Sequence, residues 1–319
     1  MTETIHVPVL LHESIDGLNI KKGDVVIDAT FGGGGHSGEI LNRFKDNIRL
    51  IAFDRDEGAV KQGKEKFPVL EIEHANYTEI SNILEKKEIT HINAALFDLG
   101  TSVDQLKSSG RGFTFEKDEP LEMTMGKNDF NAKDIVNLWS QESLETIIRS
   151  YGEERFAKRI SHAIVEYRDK KTIETTHELV EIIKKATPTF YHFKKIHPAT
   201  RTFQALRIAV NDEIEGIKKG LEGVFSILAS GGRIAVISFH SLEDREVKRY
   251  FRLLEDEGVA VRITKKPIIP SKQELKENPR SRSAKLRFVV KEKNDFYFEK
   301  EILEKFNFLL EIENLSKKL

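Results

Sequence analysis

The stretch that most constrains the fold is Val25–Ile40, VVIDATFGGGGHSGEI, in which an apolar run ends in an acid and leads into four consecutive glycines. A short strand, a glycine turn and a helical pattern together describe a parallel strand handing over to its crossover helix. Glycine weakens regular structure unless a close approach needs it, and a fifth of the chain's 20 glycines stand in this one run of four, so something approaches this backbone closely. The same alternation predicts strands at Val25–Asp28, Arg49–Asp54, Val69–His74 and Ile92–Asp98, and with them an α/β fold with a Rossmann-like, largely parallel sheet. Three of these strands end in an acid. Carboxyl ends of such strands face the ligand crevice, so Asp28, Asp54 and Asp98 are expected to converge there; the competing reading of each acid is a helix cap.

After Asp98 the alternation stops, and from about Asn131 to Gln204 only helical spacing remains. Phe156, Ile160, Ile164 and Tyr167 recur every three or four residues, Thr175 and Glu178 stand at capping-box spacing, and Pro188 follows the expected helix end. This predicts an all-helical insertion. A long helical pattern, Phe203–Leu228, then leads through Gly231-Gly232 to a fifth strand in RIAVISFH. Two further strands are expected at Val259–Thr264 and Lys285–Val290, with a Pro267–Pro270 turn and a basic loop between them. The implied division is a first sheet segment over 1–105, an insertion for substrate recognition over 106–215, a second sheet segment over 216–295 and a helical tail over 296–319.

Composition narrows the chemistry. At 319 residues and 39% hydrophobic content the chain can build a substantial core. The absence of cysteine excludes disulfides, thiolate metal sites and cysteine nucleophiles; no metal is expected. A net charge of -1 excludes binding nucleic acid through bulk charge, so an anionic partner needs a local basic patch. No leader pattern and no membrane-length apolar run are evident, and a cytoplasmic location is expected. A homodimer is compatible with such a chain.

Gly33-x-Gly35-x-x-Gly38 fits a dinucleotide fingerprint, with Asp54 near the distance of a ribose-binding acid. A nicotinamide or flavin site and an S-adenosylmethionine site share that much. They differ at Asp28: a carboxylate four residues before Gly32 repels a pyrophosphate but suits an ammonium and a sulfonium, which favours S-adenosylmethionine. Asp54 suits ribose hydroxyls, and Tyr77 follows the third strand, where a ring could lie on adenine.

The segments HVPVLLHESIDGL, DATFGGGGHS, FDLGTSVDQL, RGFTF, YGEERFAKRI, HPATRTFQALRIAVNDE, ISFHSLEDREVKRYF and NPRSRSAKLR together resemble the RsmH (MraW) family of small-subunit ribosomal RNA methyltransferases, from His6 to about Arg287. The resemblance implies methylation of the exocyclic N4 of a cytidine in 16S ribosomal RNA, with S-adenosylmethionine as donor, on a Rossmann-like class I methyltransferase sheet interrupted by a helical domain. It implies Gly34, Gly35 and His36 at the methionine and ribose part of the cofactor, Asp54 at the ribose, Tyr77 at adenine, and Asp98 and Gln105 near adenine and the reacting methyl. The chain departs from the family's usual pattern at Gly33, at Thr101–Asp104 and at LEMTM, Leu121–Met125, where a positive charge is lost.

Methyl transfer from a sulfonium is an in-line displacement, so catalysis is mainly alignment. The N4 lone pair of cytosine is delocalised, and a hydrogen bond from that amino group to a carboxylate or carbonyl helps to localise it and later takes the proton. Asp98, with the Leu99 carbonyl, is the candidate. Methylation at C5 of a pyrimidine needs a thiolate, which this chain lacks, and no lysine stands at the carboxyl end of a predicted strand to serve ribose methylation. Two basic clusters are candidates for the RNA, which is either free small-subunit RNA or the assembled subunit: Lys194, Lys195, His197, Arg201 and Arg207, and Arg280, Arg282, Lys285 and Arg287. Arg111 and Phe113 of RGFTF, with Phe115, are candidates to hold or stack an unpaired base. His240, Ser241 and Asp244 face the same crevice; substrate positioning is the preferred reading of His240 over a hydrolase triad or a plain helix cap. A dehydrogenase, a small-molecule or other RNA-base N-methyltransferase and a non-catalytic RNA binder are the alternatives.

Overall fold

The computed structural model describes residues 8–99, 109–125 and 130–292. Gln105 and the tail over 296–319 therefore lie outside the described residues. The strands are β1 Val25–Asp28, β2 Arg49–Asp54, β3 Glu71–His74, β4 Ile92–Asp98, β5 Leu228–Ser238, β6 Ala260–Arg262 and β7 Lys285–Lys291. The first helices are α1 Leu11–Leu18, α2 Gly35–Phe44, α3 Glu57–Lys66 and α4 Ile80–Lys86. There follow α5 Ala132–Leu138, α6 Gln141–Ser150, α7 Ala157–Arg168, α8 Thr176–Ala186, α9 Thr189–His192 and α10 Thr200–Asn211. The chain continues through α11 Glu213–Ser226, α12 Ser241–Asp256 and α13 Lys272–Glu277. The described residues form two compact units, one taking those up to Leu99 and from Ile214 on, the other those from Ser109 to Glu213.

The first unit is a seven-stranded sheet in the order β3-β2-β1-β4-β5-β7-β6. β1 to β5 run parallel, and β7 runs antiparallel between β5 and β6. The dinucleotide sheet runs 3-2-1-4-5-6 without that reversed strand. β1, β2 and β4 are near-continuous apolar runs because both of their faces are buried, as parallel strands between helices require. The order reverses between β1 and β4, and the crevice of an open sheet lies at that switch point.

Several boundaries differ from the sequence expectation: β6 covers only Ala260–Arg262, β7 runs on to Lys291, and three differences are larger. β3 begins at Glu71, and Val69 is 82% exposed in the preceding turn. β5 begins at Leu228, so Gly231-Gly232 lie inside it, where the register against β4 slips between Ile92 and Ala94. A side chain at Gly232 would sit 2.8 Å from the Ala229 carbonyl oxygen, which is why the bulge takes glycine. The expected long helix Phe203–Leu228 breaks at Asp212, which adopts a left-handed conformation with φ 48°. Asn211 drives the break by donating to the Arg207 and Met123 carbonyls, both at 2.8 Å, in competition with the helix ladder.

The second unit packs α5 to α10 around a core that includes Leu121, Ile135, Ile147, Ile160, Ile164 and Leu179. Its helix starts are written in the sequence. Asn131 with Asp134 opens α5, and Thr175 with Glu178 opens α8, both as complete capping boxes. Phe113 and Phe115 pack against this core.

Candidate active site

The register of the sheet sets the spacing of the three acids. Asp28 pairs with Ala52 on β2 and Leu96 on β4, so Asp54 and Asp98 each stand two residues beyond it, about 7 Å along the strands. Asp28 is buried rather than open to the crevice. Its carboxylate accepts from the Ser37 hydroxyl at 2.6 Å and from the Thr30 amide at 3.2 Å. Burial pushes its pKa up, against the Ser37 hydrogen bond and His36, which pull it down. The acid thus stitches the end of β1 to the first turn of α2, whose own cap residue, Gly34, offers no side chain.

Asp54 holds the other side of the loop. One carboxylate oxygen accepts from the Gly32 amide at 2.7 Å and the other from the Asp56 amide at 2.8 Å. Burial raises its pKa, and those two amides oppose the rise. On β4, the Asp98 amide donates to Thr30 Oγ1 at 2.6 Å, which fixes the strand end to the loop. His36 is buried in the first turn of α2, with Nε2 3.2 Å from the Val9 carbonyl and Nδ1 3.7 Å from the Asp98 carboxylate. A carbonyl only accepts, so Nε2 carries the proton and Nδ1 is the nitrogen presented to Asp98.

The glycines are explained in part by the protein itself. A Cβ at Gly34 would lie 2.6 Å from the Phe31 ring and 2.7 Å from the Phe67 ring, and one at Gly35 would lie 2.3 Å from Pro8 Cγ. Gly34 also has φ 71°. The close approach inferred from sequence is therefore first an intramolecular one at these two positions. Gly34→Ala is expected to cost about 2 kcal/mol through the left-handed backbone and the overpacked rings, read as a lowered urea midpoint with an unchanged m-value.

Gly34, Gly35, His36, Asp54 and Asp98 thus meet at one end of the sheet. Tyr77 follows β3 at that end, its ring edge-on to Phe97 at 5.9 Å and close to Gly216 and Gly220 of α11. Thr30 and Ser37 were not singled out from sequence, since nothing in their spacing marks them. His240 caps α12 in a box with Glu243, the plain role that sequence reading ranked below substrate positioning. The triad alternative fails on Asp244, whose carboxylate is engaged by Arg287 at 2.7 Å and Lys285 at 3.0 Å. Those two cations accordingly leave the second basic cluster, where Arg280 and Arg282 remain exposed.

Burial pushes the Asp244 pKa up, but the hydrogen bonds from Arg287 and Lys285 outweigh it and hold it below the ordinary Asp value. With the folded pKa below an unfolded one of about 3.9, the contribution is complete above that value and is lost as pH falls through the folded one. Asp244→Asn leaves Arg287 buried without its countercharge. It is expected to destabilise by about 2 kcal/mol at neutral pH, with the deficit shrinking on acidification below about pH 4, as urea titrations at several pH values would show.

In the helical unit, the Arg111 guanidinium donates to the Thr124 carbonyl at 2.7 Å and lies over the Phe113 ring at 5.5 Å. His197 stacks on Phe115 at 4.7 Å. Burial, then Lys184 and His192, push its pKa down, so it presents a neutral ring rather than a cation. Arg201 donates to the Glu153 carbonyl at 3.0 Å and Arg207 forks onto Glu213 at 2.9 and 3.0 Å, whereas Lys194 and Lys195 are exposed. Among the described residues no helix is long and apolar enough to cross a membrane.

Ribosomal RNA small subunit methyltransferase H of Clostridioides difficile (strain 630) is 44% identical over 306 residues, 90% of this chain and 98% of its own. A candidate rRNA methylase structure from Clostridium thermocellum is 13% identical across 90% of this chain and 100% of its own, with a TM-score of 0.41. TrmN of Thermus thermophilus is 9% identical across 88% of this chain and 48% of its own, with a TM-score of 0.40. Structural likenesses this low carry no weight for fold or function. The MraW methylase family profile matches residues 3–292, and the chain belongs to that family.

Proposed function

We propose that this chain transfers the methyl group of S-adenosylmethionine to N4 of a cytidine in 16S ribosomal RNA, in the cytoplasm, as free RNA or within the small subunit. The observation that carries the reading is the disposition of acids at the switch point: Asp54 and Asp98 flank a glycine loop whose anchor, Asp28, is a third carboxylate. Two carboxylates at the crevice, Asp54 and Asp98, suit a cationic ligand and oppose a pyrophosphate. When bound, S-adenosylmethionine supplies an electrophilic methyl carbon on a sulfonium.

The protein's part is alignment and proton handling. Asp54 keeps the loop closed through Gly32 and turns toward ribose hydroxyls the acceptor capacity that its two amides leave over. The family resemblance assigns Tyr77 to adenine, and Gln105, outside the described residues, to adenine and the reacting methyl. Asp98, with the Leu99 carbonyl, accepts from the cytosine amino group, concentrates its lone pair on N4 and takes the proton after transfer. His36 is held by Val9 with its Nδ1 3.7 Å from the Asp98 carboxylate, which places its ring beside the proposed proton acceptor. The target base must leave its stack to reach the methyl. Incubating purified protein and tritium-labelled donor with small subunits, with stripped 16S RNA and with large-subunit RNA tests the reading. Label is expected in small-subunit material alone, and transfer to no RNA would refute it.

A further inference from the structure

We propose that the surface built on α9 of the helical unit is a docking platform for single-stranded RNA, with Phe190 and Phe193 stacking on unpaired bases and Arg155, Lys194 and Lys195 holding phosphates; this rests on the proposed RNA substrate. Phe193 is 85% exposed, Phe190 58% and Ile196 52%. One such residue is ordinary, but three within a seven-residue stretch form a patch that mostly marks an interaction site.

The patch is anchored from beneath. Tyr191, between the two phenylalanines, is buried, packs edge-on against Phe156 at 5.0 Å and donates its hydroxyl to Glu154 at 2.6 Å. Burial and Glu154 push the Tyr191 pKa up to about 12, so the hydroxyl stays a donor at every working pH. The Arg155 guanidinium lies over Phe156 at 4.5 Å, Tyr191 at 5.2 Å and Phe190 at 5.5 Å, and the Lys194 ammonium lies over Tyr191 at 5.6 Å. Cations interleaved with aromatic faces are how proteins grip single strands without reading sequence.

Charge favours RNA over a protein partner. Residues 182–211 contain six lysines and arginines and no acid; Lys184 pairs with Glu181 and Arg207 with Glu213 just outside that stretch, while Lys194 and Lys195 stay exposed beside the phenylalanines. Lysine is depleted from the buried centres of protein interfaces, whereas phosphates require it. Duplex RNA hides its base faces, so the exposed rings select unpaired strands.

The test is fluorescence anisotropy of the full chain with a labelled cytidine-rich single strand of about twelve nucleotides, within the range such platforms cover, and with a duplex of equal length. Phe190→Ala with Phe193→Ala is expected to weaken single-strand binding tenfold to a hundredfold, roughly the loss of stacking by one or two bases. Lys194→Ala with Lys195→Ala should flatten the dependence of log affinity on log salt by about 1.4, or about 0.7 per lost phosphate contact. All four side chains are exposed, and thermal melts should confirm that the variants fold. Unchanged affinity in the phenylalanine variant overturns the proposal, as does equal binding of the duplex. So does wild-type self-association in sedimentation that Phe193→Ala abolishes while RNA binding persists, since the patch would then be a face between copies. Donor affinity and methyl transfer are measured separately: a wild type that grips the strand through this patch yet methylates no RNA refutes the methyltransferase reading and leaves the platform standing.

Discussion

Asp98→Asn is expected to lower kcat for methyl transfer by about 10²- to 10⁴-fold, the range for loss of a positioned proton acceptor. The amide has the carboxylate's shape and still accepts a hydrogen bond, but it cannot take the N4 proton. The main-chain bond from the Asp98 amide to Thr30 Oγ1 survives the change, so the strand end should stay in place. Donor affinity measured by calorimetry should therefore move by no more than a few fold. The contrast between kcat and affinity is the informative part: a purely cofactor-binding Asp98 predicts the reverse, with a weakened donor and a near-normal rate at saturation.

Asp54→Ala should weaken donor binding by about a hundredfold. It removes the acceptor for the Gly32 and Asp56 amides, so the loop loses its tie to β2 and the ribose loses a charged acceptor. Hydrogen bonds to a charged group contribute about 1.5–3 kcal/mol each. Asp54→Asn keeps one acceptor oxygen and should recover part of the loss. Affinity within about threefold of wild type for Asp54→Ala would show that the loop holds its shape without the acid and that the ribose is held elsewhere.

The sheet was legible because its strands announce themselves. β1, β2 and β4 are apolar runs closed by an acid, and their bounds in the structure coincide with those read from the residues. Capping pairs such as Thr175 with Glu178 gave helix starts for the same reason, since the whole signal lies within four residues. What sequence could not show depends on partners far along the chain. The break at Asp212 is invisible in a helical spacing that runs through it, because it depends on the Asn211 bond to Met123. Lys285 and Arg287 looked like phosphate ligands until Asp244, more than forty residues earlier, appeared between them. The glycine loop was recognised as a place of close contact, but Phe31, Phe67 and Pro8 occupy part of the space first assigned to a ligand. Asp28 was placed correctly at the end of its strand and expected to face the crevice, yet it is buried and anchors the loop through Ser37 and Thr30.

The most direct measurement is nucleoside mass spectrometry of 16S RNA from small subunits incubated with the purified chain and S-adenosylmethionine. The account predicts N4-methylcytidine at a single site, formed by the wild type and scarcely by Asp98→Asn. A methyl group found on C5 of the pyrimidine or on a ribose oxygen, or full modification by Asp98→Asn, would contradict it.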